Sequence, residues 1–177
     1  MLKLRKPEIL PINDHIWLLD DNHEATCYVV AGRERALVID TSIGLCNIRE
    51  TAEALTSLPL ICVNTHGHGD HIGGNWAFEK AFMNLADLPL AKECMDWPEL
   101  REGLEQLHVS YPPFEHIEDG RVIDLGGVEL EVLVSARTYA GRNRAAGSTG
   151  QGSVFRRRHS GASVAAAAGI AFRCSPD

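Results

Sequence analysis

The chain has 177 residues, is 45% hydrophobic and carries a formal net charge of −7. That length suits one domain with a packed core, and the negative balance argues against nucleic acid as the main partner. No apolar run of about 18 residues is present to span a membrane, and no apolar signal core follows the basic start at residues 1–7.

In chain order, residues 15–19 and 25–31 read as strands around a polar turn at 20–23. Residues 36–40 form a third strand. Residues 47–58 read as a helix, with Ile48, Thr51, Ala52, Leu55 and Leu58 on one face and Pro59 at its end. Residues 60–64 are a short apolar strand suited to burial on both faces. A histidine-rich loop follows directly, then helical segments at 76–82, 90–95 and 98–107. Residues 121–125 and 128–133 alternate in character around Gly126-Gly127 and read as a hairpin. This order implies a mixed sheet with helices on its outer side. Five scattered cysteines without a CxxC pair read as buried thiols, and the missing signal core makes the cytoplasm the expected compartment.

The pattern breaks after Val134. Residues 1–134 hold 10 Lys and Arg against 23 Asp and Glu, whereas residues 135–177 hold seven Arg, no Lys and the single acid Asp177. The last leucine is Leu133. The tail offers only helix propensity at 162–171. The expected division is therefore a domain at 1–134 and an aberrant, poorly ordered tail at 135–177.

The chemistry concentrates in Thr65-His66-Gly67-His68-Gly69-Asp70-His71-Ile72-Gly73-Gly74. Imidazoles and a carboxylate this close together suit zinc. His66 and His68 would hold one ion, and Asp70 and His71 a second beside it. Two such ions share a bridging hydroxide and polarise the carbonyl or phosphoryl oxygen that it attacks. Asp70 is thus both a metal ligand and the candidate catalytic carboxylate. His108 and His116 read as surface histidines. Trp17, Trp76, Phe78, Phe82 and Trp97 read as core or pocket wall, and residues 111–114 as a loop.

The cluster resembles the HxHxDH signature of the metallo-β-lactamase superfamily. The likeness extends upstream, because residues 36–41 resemble the strand before that family's first helix. It implies that the strand-end Asp40 supports the metal histidines from behind; the plainer reading of Asp40 is a turn or cap residue. The implied fold is an α+β αββα sandwich, its N-terminal half complete and its C-terminal half missing or disrupted. The implied function is a zinc hydrolase acting on a small ester, thioester or lactone. A β-lactamase proper usually varies the Asp-His pair, a flavodiiron reductase places Glu where His68 stands, and the nuclease branch adds a further large domain.

The family also requires a downstream His, in a segment like TPGHTPGS, and a bridging Asp, in a segment like LFxGD. Neither occurs here. His159, the tail's one histidine, is flanked by Arg156, Arg157 and Arg158. Reading the tail's degenerate codons from the second base supplies both segments. Residues 136–141 then permit Pro-Gly-His-Thr-Pro-Gly, with a His codon over Thr138. Residues 154–159 permit Phe-Phe-Gly-Asp-Ala-Ile, with an Asp codon over Arg157, nineteen residues on. A slipped reading frame near residues 134–135 accounts together for the arginines, the missing leucines and the charge reversal. The alternative expectation is therefore a catalytically inactive, truncated or frame-shifted family member with a partial metal site.

Overall fold

The computed structural model describes residues 3–134, together with the backbone of residues 163–164 and 170–175. Seven strands form a mixed sheet in sequential order: β1 (Glu8–Asn13), β2 (Ile16–Asp21), β3 (Ala25–Ala31), β4 (Ala36–Ile39), β5 (Leu60–Val63), β6 (Ala81–Met83) and β7 (Phe114–His116). Strands β1 to β4 are antiparallel, and β4 to β7 run parallel. Parallel neighbours need crossovers. Helix α1 (Ile48–Leu55) provides the first, and the histidine-rich loop, with the short helix α2 (Gly69–Ile72), provides the second. Helices α3 (Leu88–Met95) and α4 (Pro98–Leu107) lie in the third. The Asn47 side chain caps α1 by accepting from the Glu50 N–H at 3.0 Å, which satisfies one of the helix's free donors.

A smaller antiparallel sheet has the order β10-β11-β9-β8, from β8 (Val122–Asp124), β9 (Glu129–Val134), β10 (Ser163–Val164) and β11 (Ile170–Ser175). Alternation along the central strands divides the core in two. Tyr28, Val30, Leu37, Ile39 and Val63 face the small sheet and pack with Ile123, Leu125, Leu130 and Val132. Cys27, Val29, Val38 and Cys62 face the other way, onto Ile48 and Ala52 of α1 and onto Phe78. Each fully buried Leu, Ile or Val contributes roughly 1.5–3 kcal/mol. The architecture is α+β, with a helix layer on a sheet and that sheet on a second sheet. Among the described residues no helix follows β8.

The small sheet does not cover the whole inner face. A groove of about 850 Å³ opens over Ile61, Val63, Phe82 and Ile117, with Arg35, Lys80 and Arg121 among its lining residues. It includes none of the clustered histidines.

Three expectations need correction. Residues 76–82 are not helical: a single 3-10 turn at Asn75–Ala77 gives way to β6. Pairing of Ala81–Met83 with Phe114–His116 overrides the weak helical preference. The same pairing makes a strand of Phe114, which was expected in a loop. Residues 163–164 and 170–171 are strand rather than helix, because the free edge of β9 offers backbone partners to all six residues of β11. Residues 135–162, most of the expected tail, lie outside the described residues. Strand β1 was not expected at all; it contains Pro11, and every one of its residues is exposed.

Candidate metal centre

The histidine-rich loop begins where β5 ends. Strands β4 and β5 run parallel, so Asp40 and Asn64 leave the sheet side by side, and the Asp40 N–H donates to the Val63 carbonyl at 2.9 Å. From there the chain bends through residues 65–67, delivering His66, and reaches His68 in extended backbone before turning into α2, which carries Asp70 and His71. The His66 ring centroid lies 4.8 Å from that of His68 and 3.9 Å from that of His71. A carboxylate oxygen of Asp70 is 3.5 Å from His71 Nε2. His66 is buried, His71 and Asp70 are half-buried, and His68 is exposed. The four side chains thus gather at one edge of the sheet. Among the described residues, however, no three His, Cys, Asp or Glu side chains converge into a group that could hold a metal ion.

Asp40 lies beneath this cluster, 2% exposed. Its Oδ1 accepts from the Thr65 N–H at 2.8 Å. Its Oδ2 accepts from the Thr65 hydroxyl at 2.8 Å and pairs with His71 Nδ1 at 2.8 Å. The Thr65 hydroxyl is also 3.0 Å from His66 Nδ1. One carboxylate is thereby linked to two of the histidines, to one directly and to the other through a hydroxyl.

A second network grips the backbone of His71. Its carbonyl accepts from the Thr41 N–H at 2.9 Å and the Asn64 amide at 2.9 Å, with the Thr41 hydroxyl oxygen 3.2 Å away. Behind it, Asn64 and Asn75 exchange side-chain hydrogen bonds at 2.8 and 3.1 Å. The Thr41 hydroxyl reaches Asn75 Oδ1 at 2.8 Å. Asn64, Asn75 and Thr41 are all 0% exposed. Buried polar groups are tolerated only when so satisfied, and here the satisfaction fixes the loop that bears the histidines.

The glycines of the loop serve close approach rather than tight turning, since none of those between His66 and Asn75 has a positive φ. A Cβ on Gly67 would lie 2.7 Å from the Asp87 carbonyl oxygen and 2.8 Å from the Ala91 nitrogen. Bare backbone at this point lets α3 pack directly against the loop.

Burial, the nearby His71 and the nearby His68 push the His66 pKa down to about 4, with Asp40 and Asp70 opposing. Burial also disfavours charge on His71, but Asp40, through its charge and its hydrogen bond, and then Asp70 outweigh it and raise that pKa. Near neutral pH, His66 is therefore an uncharged imidazole, the form that binds metals. Asp40 on His71 Nδ1 leaves His71 Nε2, the nitrogen nearest Asp70, free to coordinate. The residue types fit a zinc-like ion, although among the described residues they stand in pairs and not in a converging group of three.

Elsewhere, His108 and His116 are exposed. His116 Nδ1 accepts from the Leu85 N–H at 3.2 Å. Trp97 was expected in core or pocket wall and is 45% exposed, with its ring against Gly69 between His68 and Asp70. Cys27, Cys46, Cys62 and Cys94 are buried free thiols, as expected. Sequence reasoning missed Thr41, Asn64, Thr65 and Asn75. The available signal was a run of polar residues flanking the motif, directly after an apolar strand.

The family model described as the metallo-β-lactamase superfamily matches residues 21–149. The chain is 29% identical to the acyl-coenzyme A thioesterase MBLAC2 of Gallus gallus over 138 residues, and 29% identical to that of Homo sapiens over 141. Each alignment covers 64% of this chain and 50% of the relative, so the chain spans about half the length of the curated relatives it matches. Among solved structures it resembles a metallo-β-lactamase from Pontibacter korlensis, with a TM-score of 0.52 and 20% identity over 73% of this chain and 60% of the other. It also resembles a β-lactamase domain protein from Burkholderia ambifaria, with a TM-score of 0.54 and 13% identity over 76% and 50%. At such identities these structures speak to the fold alone. The matched family model, covering the histidine loop, the supporting strands and the hairpin, places this chain in the metallo-β-lactamase superfamily.

Proposed function

We propose that this chain carries the N-terminal half of a metal-dependent hydrolase site, with His66, His68, Asp70 and His71 as zinc ligands and Asp40 supporting them. The observation that carries the reading is the gathering of three imidazoles and a carboxylate at one sheet edge, with Asp40 and Thr65 hydrogen-bonded behind them. The substrate class is a small ester, thioester or lactone, and the thioesterase relatives favour a thioester. Zinc held there would lower the pKa of a coordinated water and polarise the carbonyl under attack. His66 and His68 would hold one ion; Asp70 and His71 would hold the other. The exposed His68 and half-buried Asp70 leave the solvent side open to substrate, while buried His66 and Asp40 close the inner side. The protein works in the cytoplasm in this reading, supported by its buried free thiols.

A second reading has its own observation. The donors present sit on one loop, and no three described ones converge. The chain as written then holds zinc weakly and turns over little or nothing, and the tail is a slipped frame. Sequencing the gene and reading the second frame beyond codon 135 tests this. That frame is expected to encode a His and an Asp nineteen residues apart; if it does not, the slip is excluded. Restoring the frame is expected to recover zinc and turnover together on an ester, thioester and lactone panel. Substituting His66 or Asp70 in the restored protein is expected to abolish turnover without unfolding it. If the restored protein turns over with no bound metal, the hydrolase reading fails.

A further inference from the structure

We infer that Thr65 is a positioning residue that fixes which nitrogen of His66 faces the metal. The argument rests on the zinc reading above and on counting protons. Asp40, as a carboxylate, only accepts hydrogen bonds. The contact of 2.8 Å between the Thr65 hydroxyl and Asp40 Oδ2 therefore uses the hydroxyl's single proton. The same oxygen is 3.0 Å from His66 Nδ1. With its proton committed, it has only lone pairs to offer, so the hydrogen between them belongs to Nδ1. His66 is held as the Nδ1–H tautomer, and its lone pair is on Nε2. Asp40 acts directly on His71 in the same way, through Nδ1 at 2.8 Å. Thr65 thus extends one carboxylate's control to a second histidine that it does not itself touch.

The geometry leaves Thr65 little freedom to do otherwise. It is 1% exposed, and its own N–H is bound to Asp40 Oδ1 at 2.8 Å. The carboxylate therefore grips both its backbone and its side chain. Serine would keep the hydroxyl, whereas valine would keep the shape and lose it. Partners of this kind behind a metal histidine typically change metal affinity by about 10- to 100-fold when removed.

Two measurements on the full chain test this. Two-bond nitrogen–proton correlation spectra of the metal-free protein at pH 7.5 report the tautomer of His66 without any substitution. The expected signature is a proton on Nδ1; a proton on Nε2 overturns the inference. Zinc affinity by competition with a chromogenic chelator gives the second readout. Thr65→Val is expected to bind about 10- to 100-fold more weakly, and Thr65→Ser to stay within about threefold of the parent. Equal affinity in a folded Thr65→Val overturns the inference, as does an equal loss in Thr65→Ser. A parent chain that binds no zinc sinks the metal reading instead, and the tautomer measurement still decides the role of Thr65.

Discussion

Replacing Asn75 with alanine removes the hub of the buried network behind the histidine loop. The side chain is 0% exposed and exchanges hydrogen bonds of 2.8 and 3.1 Å with Asn64 while accepting from Thr41 at 2.8 Å. Of the donors that lose Asn75 Oδ1, the Thr41 hydroxyl can turn to the His71 carbonyl at 3.2 Å and the Cys62 thiol, at 3.8 Å, is a weak donor, whereas one Asn64 amide hydrogen keeps that carbonyl at 2.9 Å and the other is orphaned. Asn64 Oδ1 keeps nothing in its place. Each of these two orphaned buried groups costs about 1–3 kcal/mol, and the void left by the amide adds to that. The expected total is about 3 kcal/mol, a large part of the roughly 5–15 kcal/mol that holds a domain together. With a urea slope of roughly 2 kcal/mol/M, the midpoint should fall by about 1.5 M while far-UV circular dichroism is unchanged. Asn75→Asp, of the same shape, loses the donor and turns an acceptor on Asn64 Oδ1, so it should do no better. A midpoint shift under about 0.3 M in either variant would refute the reasoning, because the network would then bear no load.

In the metal-free chain, His66 and His71 should pull stability in opposite directions with pH. His66 titrates lower when folded, at about 4 against 6.5. Its contribution is present above pH 6.5 and is lost as pH falls toward 4, by roughly 3 kcal/mol at full extent. His66→Gln should flatten the urea-stability profile over that window, and an unchanged slope would count against the burial argument. His71, raised by Asp40, contributes most below pH 6.5 and loses this as pH rises through its folded value; Asp40→Asn should erase that alkaline decline. Gly67→Ala drives a Cβ to 2.7 Å from the Asp87 carbonyl oxygen; overpacking of this kind costs about 1–3 kcal/mol, and chemical denaturation within error of the parent would show that α3 gives way freely. Elemental analysis of the chain as written should find fewer than two tightly held zinc ions per molecule, and two would mean that residues beyond the loop supply ligands.

The strands with long alternating or apolar runs were legible. Residues 25–31 came out as β3, 36–39 as β4, and 98–107 as α4 with Pro98 at its first position. Two of the misses share one cause. Strands β6 and β7 have three residues each, too few to show a period, and they exist because each finds the other across the sheet. Strand β1 is hidden by Pro11 and by exposure on both faces. The histidines were legible because they crowd into one short motif. The residues that hold them were not, because Thr41 and Asn75 are 34 positions apart, and Asp40 and His71 are 31 apart. A serine, threonine or asparagine carries no sequence mark that separates a buried network from an ordinary loop.

Asp40 and Ser42 both take left-handed backbone, with φ of 63° and 62°, a conformation that costs side chains of this kind about 1–3 kcal/mol. Glycine at position 40 would relax the chain and would also delete the carboxylate beneath two histidines. That glycine would also strip partners from the buried Thr65 N–H, the Thr65 hydroxyl and His71 Nδ1, at about 1–3 kcal/mol for each orphaned group, so the strain at position 40 is outweighed by the network that it makes possible. A strained backbone is thereby the sign of a bargain struck locally: stability and the arrangement of the histidines both favour the acid at position 40.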